Sequence, residues 1–219
     1  MKQILKILCG SRAHHLDNEH SDYDYRTVFL APTSELLKIG AKQTKTDWNE
    51  KEQDKDETGW ELGHFLFLAT KCNPTILECF LAPIIEQTDE GVELRKQFSR
   101  VWNSKGVFDA FRGYGFNQRK KFLDQKDSRP HKYAVAYLRT LYNAWELLST
   151  GTFSVDMRQT PIYETLKRFK AGEYEIGEVM QNTFDWEKKV INAYENSKDK
   201  FTDFDQLNAF LLKIRKRNF

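Results

Sequence analysis

The stretch from Ile4 to Arg26 restricts the possible folds more than any other part of the chain. An apolar run (Ile4, Leu5, Ile7, Leu8, Cys9) leads into Gly10-Ser11-Arg12. Such a run, closed by a glycine, predicts a strand that stops in a tight turn. After a polar loop, Ser21-Asp22-Tyr23-Asp24-Tyr25-Arg26 opens a second strand, expected over Asp22–Leu30. Side chains alternate along a strand, so Asp22 and Asp24 are expected on one face. Two carboxylates on one face repel unless a cation lies between them, and Mg²⁺ takes such oxygen ligands together with substrate phosphates. At the turn, Gly10 lets the backbone approach a phosphate, and the Ser11 hydroxyl and backbone amides can donate to it. A phosphate-cradling turn beside a divalent-metal dyad is a layout for phosphoryl or nucleotidyl transfer. Singly, Asp-x-Asp and Gly-Ser are ordinary turn features. Their combination between two strands favours the functional reading.

The string GSRAHHLDNEHSDYDYR, Gly10 to Arg26, resembles the nucleotidyltransferase superfamily of DNA polymerase β. Within it, the string is similar to the RNA repair pathway DNA polymerase beta family. His14-His15 stand where that subgroup carries an aromatic-glycine pair. The resemblance continues through Asn73-Pro74…Glu78 and the Tyr137-Leu138-Arg139 helix. It implies an α/β (α+β) chain: a small mixed sheet over residues 1–62 that holds the metal site, and a C-terminal helical bundle over 63–219.

The resemblance also implies a third carboxylate on a neighbouring strand, flanked by hydrophobic residues. Glu61, between Trp60 and Leu62, fits that description and is preferred. Its rival Asp56 sits inside a charged run. Glu61 has a purely structural alternative, as a first-turn helix acid favoured by the helix dipole. The expected site is then Asp22, Asp24 and Glu61 around Mg²⁺ or Mn²⁺, with Gly10, Ser11 and Arg12 on the NTP phosphates. Lys132 and Arg139, seven positions apart and so on one helix face, are candidates to reach the triphosphate, the lysine as a point charge and the arginine as a fork. A solvated basic face explains them equally well. The acceptor implied by the resemblance is an RNA 3′ end, such as that of a tRNA. Transfer of AMP to a protein or a small-molecule hydroxyl keeps the same chemistry. A non-catalytic nucleotide-binding module is the reading from another class, and the intact Asp22/Asp24 pair counts against it.

Charge refines the partner. With 34 Lys and Arg against 32 Asp and Glu, the net charge is only +2, which excludes a uniformly basic nucleic-acid coat but not a local basic face. One candidate face gathers Arg112, Arg119, Lys120, Lys121, Lys126 and Arg129, interrupted by aromatic residues. Gln118 to Lys121 are expected to form an exposed patch for RNA phosphates. Cys9, Cys72 and Cys79 show no Cys-x-x-Cys pairing and read as reduced core thiols. No apolar stretch reaches 18 residues, so a soluble, cytoplasmic protein is expected, with no membrane span. His14, His15 and His20 read as loop residues beside the site, with His14 or His15 lining the nucleotide pocket. His64 and His131 carry no assigned role.

The rest of the chain reads as helices. A short helix over Glu35–Lys38 closes at Gly40, and the polar run Lys42–Glu57 suggests a hairpin with a mobile loop. A helix from Gly63 stops before Asn73-Pro74. Thr75 then caps the next helix, with Glu78 in capping-box position. Further helices are expected over Glu90–Trp102, Val107–Gln125, Pro130–Thr150, Pro161–Ala171, Ile176–Asn196 and Phe204–Arg217.

Overall fold

The structure is a computed structural model that describes residues 1–40, 45–50 and 55–218; of 45–50, 55 and 56 it describes the backbone. The chain is a mixed α/β protein that divides into two compact units. The first takes in residues 1–71, 75–102 and 201–219, and the second 72–74 and 103–200.

The first unit is built on a five-stranded sheet in the order β3-β4-β2-β1-β5. Its strands are β1 (Lys2–Cys9), β2 (Tyr23–Leu30), β3 (Lys45–Glu50), β4 (Lys55–Glu61) and β5 (Ile84–Gln87). The apolar run predicted as a strand becomes β1, with Ile4, Leu5, Ile7 and Cys9 buried. β1 pairs antiparallel with both β2 and β5, whereas β2 and β4 run parallel. The expected hairpin is β3–β4, antiparallel from Lys45↔Trp60 to Glu50↔Lys55. Residues 41–44 and 51–54, the rest of the polar run expected to form a mobile loop, lie outside the described residues.

Around the sheet run α1 (Gly10–Ala13), α2 (Thr33–Leu36), α3 (Leu62–Thr70), α4 (Pro74–Cys79), α5 (Asp89–Arg95) and α6 (Phe98–Val101). The helix expected over Glu90–Trp102 is thus two short helices. α4 begins at Pro74, so Thr75 lies inside its first turn instead of preceding it as a cap. The last helix, α11 (Phe204–Arg217), returns to this unit and buries Leu207, Phe210 and Ile214. The division therefore differs from the expected break at residue 62. β5 pairs with β1, and Arg215 of α11 reaches back to the end of β4, so the sheet unit needs segments from both later parts of the chain.

The second unit consists of α7 (Ser104–Leu123), α8 (Pro130–Thr150), α9 (Tyr163–Ala171) and α10 (Ile176–Asn196). The stripe Tyr133, Tyr137, Leu141, Ala144 and Leu148 on α8 is buried, as its three- and four-residue spacing predicts. Gly115 of α7 lets the Tyr137 ring come close, since a side-chain carbon there would sit 3.3 Å from it. Tyr137 donates its hydroxyl to Glu187 of α10 at 2.7 Å, which satisfies a polar atom that burial would otherwise strand. Gly151 ends α8 with φ of 75°, a left-handed conformation that glycine adopts without strain.

All three cysteines are free thiols and buried. The Cys9 thiol is pushed up by a hydrogen bond with Cys79 and by burial, and the Cys72 thiol by burial. Thiolate is the reactive form. We therefore expect Ellman's reagent to titrate none of the three in the native protein and all three after denaturation. A fast-reacting thiol in the native state would show that the packing around that cysteine opens. Among the described residues no helix is long and apolar enough to cross a membrane.

Candidate active site

The turn after β1 and the start of β2 come together at one end of two neighbouring central strands. Cys9 is in register with Asp24, so the residue that follows, Gly10, lies beside the Asp24 backbone. Gly10 has φ of 68°, and a side-chain carbon added there would run into the Asp24 carboxylate. Both the backbone conformation and the space therefore require glycine. The turn thus brings Ser11 next to a half-buried aspartate. Asp22 is exposed and lies one residue ahead of β2, a strand that begins at Tyr23 instead of the expected Asp22.

Arg12 anchors the loop between the turn and β2. Its Nε and Nη2 donate to the Ser21 carbonyl at 3.1 and 2.6 Å, and its Nη1 reaches Asp17 at 3.3 Å. The guanidinium also stacks 3.9 Å from the centre of the Tyr23 ring. These bonds hold Ser21 and Tyr23, the two neighbours of Asp22. His14, expected to be a loop residue near the nucleotide, is buried and shares a 2.9 Å hydrogen bond with the buried Glu78 of α4. His15 is exposed with φ of 54°, and His20 is exposed.

The two candidates for the third carboxylate sit at opposite ends of β4. Asp56 is in register with Asp24 on the adjacent parallel strand, whereas Glu61 is in register with Phe29, five positions further on. Glu61 is fully buried, caps α3 by accepting from the Gly63 N–H at 2.7 Å, and forms an ion pair with Arg215 at 2.5 Å. The structure thus does not bring Glu61 to the Asp22/Asp24 end of the sheet, and gives it the structural work of a helix cap and charge partner. Glu57, next to Asp56, also has protein partners. Burial would raise its carboxyl, but hydrogen bonds from Lys6 at 2.7 Å and Thr27 at 2.6 Å, with the charge of Lys6, outweigh that and hold it below the usual range.

Lys132 and Arg139 belong to the second unit. Lys132 is exposed and Arg139 half-buried, and neither is in the buried stripe of α8. On α7, Lys120 is exposed and Lys121 lies 5.5 Å from the centre of the Tyr133 ring. Arg112 stacks on Phe108 and Phe116. Gln118, expected in the exposed patch, is buried, because it falls on the α7 face that also buries Phe111, Gly115 and Phe122.

Does this corner suit a divalent cation? Asp22 and Asp24 supply hard oxygen donors, and the space above Gly10 is kept for the Asp24 carboxylate. Among the described residues no three His, Cys, Asp or Glu side chains form a metal-binding group, and the side chain of Asp56 is outside that description. The donor chemistry fits the ion.

Residues 1–213 match the family described as the RNA repair pathway DNA polymerase beta family. No curated protein matches the sequence. Among solved structures, a nucleotidyltransferase-like protein from Exiguobacterium sibiricum 255-15 aligns at 11% identity, covering 89% of this chain and 69% of that one, with a TM-score of 0.31.

Proposed function

The chain belongs to the RNA repair pathway DNA polymerase beta family and is a nucleotidyltransferase of polymerase β type, and from that premise we propose that it moves a nucleoside monophosphate from an NTP to an RNA 3′-hydroxyl. The observation that carries this reading is the contact between Gly10 and Asp24: the turn able to hold phosphates and an acid able to hold a divalent cation share one corner. In the reaction, the acceptor oxygen bonds to the α-phosphorus as its hydroxyl proton is given up to water, the bond to the β-phosphate oxygen breaks, and pyrophosphate leaves with its electrons.

Asp22, Asp24 and Asp56 would hold Mg²⁺ or Mn²⁺. When bound, the ion supplies Lewis-acid stabilisation of phosphate charge and a lowered pKa for the attacking hydroxyl. Ser11 and the neighbouring amides bind the β- and γ-phosphates. Arg12, through Ser21 and Tyr23, sets the position of Asp22. The basic and aromatic face of α7, with Arg112, Phe116, Lys120 and Lys121, is assigned to the RNA backbone.

A direct comparison tests the acid assignment. Asp56→Asn is expected to lower transfer by about a hundredfold or more. Glu61→Gln is expected to lower the melting temperature while leaving the rate per folded molecule within a few-fold of wild type. The opposite ranking would return the third ligand to Glu61. For the acceptor, charge reversal at Lys120 and Lys121 is expected to weaken RNA binding uniformly across sequences and to flatten its salt dependence by nearly one log unit per lost phosphate contact. An unchanged salt slope would remove RNA from this face and favour a protein or small-molecule acceptor.

A further inference from the structure

We propose that the buried His14–Glu78 pair positions the Gly10–Ser11 turn for the triphosphate, so that it governs how well the enzyme grips β- and γ-phosphates without touching them. This inference rests on the reading of that turn as the phosphate site.

A turn as short as α1 cannot hold itself. Four residues close too few backbone bonds to offset the cost of nucleating a helix, and its two flanking anchors point in different directions. Arg12 reaches outward to Ser21, Asp17 and Tyr23. His14, which closes the turn by donating its N–H to the Gly10 carbonyl, reaches inward to Glu78 at 2.9 Å. Immediately afterwards His15 takes a left-handed conformation and the chain reverses.

Apolar anchors are present too, since Ala13 and Leu16 are buried. Apolar contact is non-directional, however, and permits the turn to rotate or slide. A hydrogen bond between two buried groups fixes both distance and angle. It is also an expensive way to fill space, because replacing a buried ionisable pair by apolar groups of similar volume is often neutral or stabilising. The pair thus supplies direction at a place where direction decides whether Ser11 and its amides meet a phosphate.

The test separates positioning from stability. Isothermal titration in Mg²⁺ with the four NTPs and their monophosphates gives the affinity ratio of triphosphate to monophosphate, which reads the grip on the β- and γ-phosphates. The double variant His14→Leu/Glu78→Met is expected to melt at or above the wild-type temperature yet lose that ratio by about tenfold to a hundredfold, the scale of a misplaced binding group. Glu78→Gln, which keeps an acceptor for His14, is expected to retain it. A double variant with the wild-type ratio would overturn the proposal and leave the pair as core filling. So would a Glu78→Gln protein that loses the ratio as completely, because charge and not the bond would then be what matters. If the double variant does not fold, His14→Asn, too short to reach Glu78, takes its place with the same two outcomes. Ser11→Ala distinguishes the underlying reading: if it and every other variant match a wild type without triphosphate preference, the turn is no phosphate site and the inference fails with it.

Discussion

Asp24→Asn is expected to lower nucleotidyl transfer by about a thousandfold or more, the upper scale for losing one charge-stabilising group, while the protein melts no earlier than wild type. The two halves of that result have separate causes. Transfer fails because an amide oxygen is a neutral and weaker ligand for a hard cation than a carboxylate. Stability is kept because the amide has the same shape against Gly10 as the carboxylate it replaces. Melting curves with and without Mg²⁺ add a check. A ligand that binds only the folded state raises its stability by mass action, so Mg²⁺ should raise the melting temperature of wild type and not that of the variant. An Asp24→Asn protein with wild-type turnover would remove the acid dyad from the mechanism.

The largest stability effect is expected at the other end of β4. Arg215→Met leaves the Glu61 carboxylate fully buried with its charge unpaired, a loss of about 3–5 kcal/mol in known cases of broken buried pairs. Arg215 also donates to the Ala31 carbonyl, so the change frees the last turn of α11 from the end of β2. Chemical denaturation should show the midpoint falling with little change in slope. Adding Glu61→Leu to Arg215→Met should recover most of the loss, because an apolar pair needs no charge partner. A single variant as stable as wild type would show that the buried Glu61 does not need the arginine.

What the sequence discloses and what it conceals follow from the range of the interactions. The helices Pro130–Thr150, Ile176–Asn196 and Phe204–Arg217 have the bounds that pattern and caps predict. Pro130 opens the first of these and Gly151 closes it, and the Asp203 side chain caps the third. The Gly10/Asp24 corner is legible for a similar reason, since both residues mark the ends of strands that pair as neighbours. β5 is not legible. Its four residues, Ile84–Gln87, are all exposed and show no alternation, so only pairing with β1 makes them a strand.

The acids divide in the same way. Glu61 has the local setting of a functional acid between Trp60 and Leu62, but its partner Arg215 is 154 positions away. Glu78 has capping-box spacing, and its partner His14 is 64 positions away. Asp56 is one acid in a charged run, and only the parallel register of β2 and β4 sets it opposite Asp24. Arg12 has the charge of a phosphate ligand, yet the loop it pins is its own continuation. For Glu61, Glu78 and Asp56 the difference comes from a partner that the local sequence does not display.

Transfer of a nucleotidyl group through its α-phosphorus, with release of pyrophosphate, can be followed with labelled NTP in one assay. The protein is incubated with an RNA ending in a 3′-hydroxyl, Mg²⁺ or Mn²⁺, and each NTP labelled at either the α- or the γ-phosphate. The expected result is α-label joined to the RNA, γ-label released as pyrophosphate in equal amount, and both lost with a chelator. Transfer of the γ-label to any acceptor, or α-label incorporation that persists without a divalent ion, would contradict it.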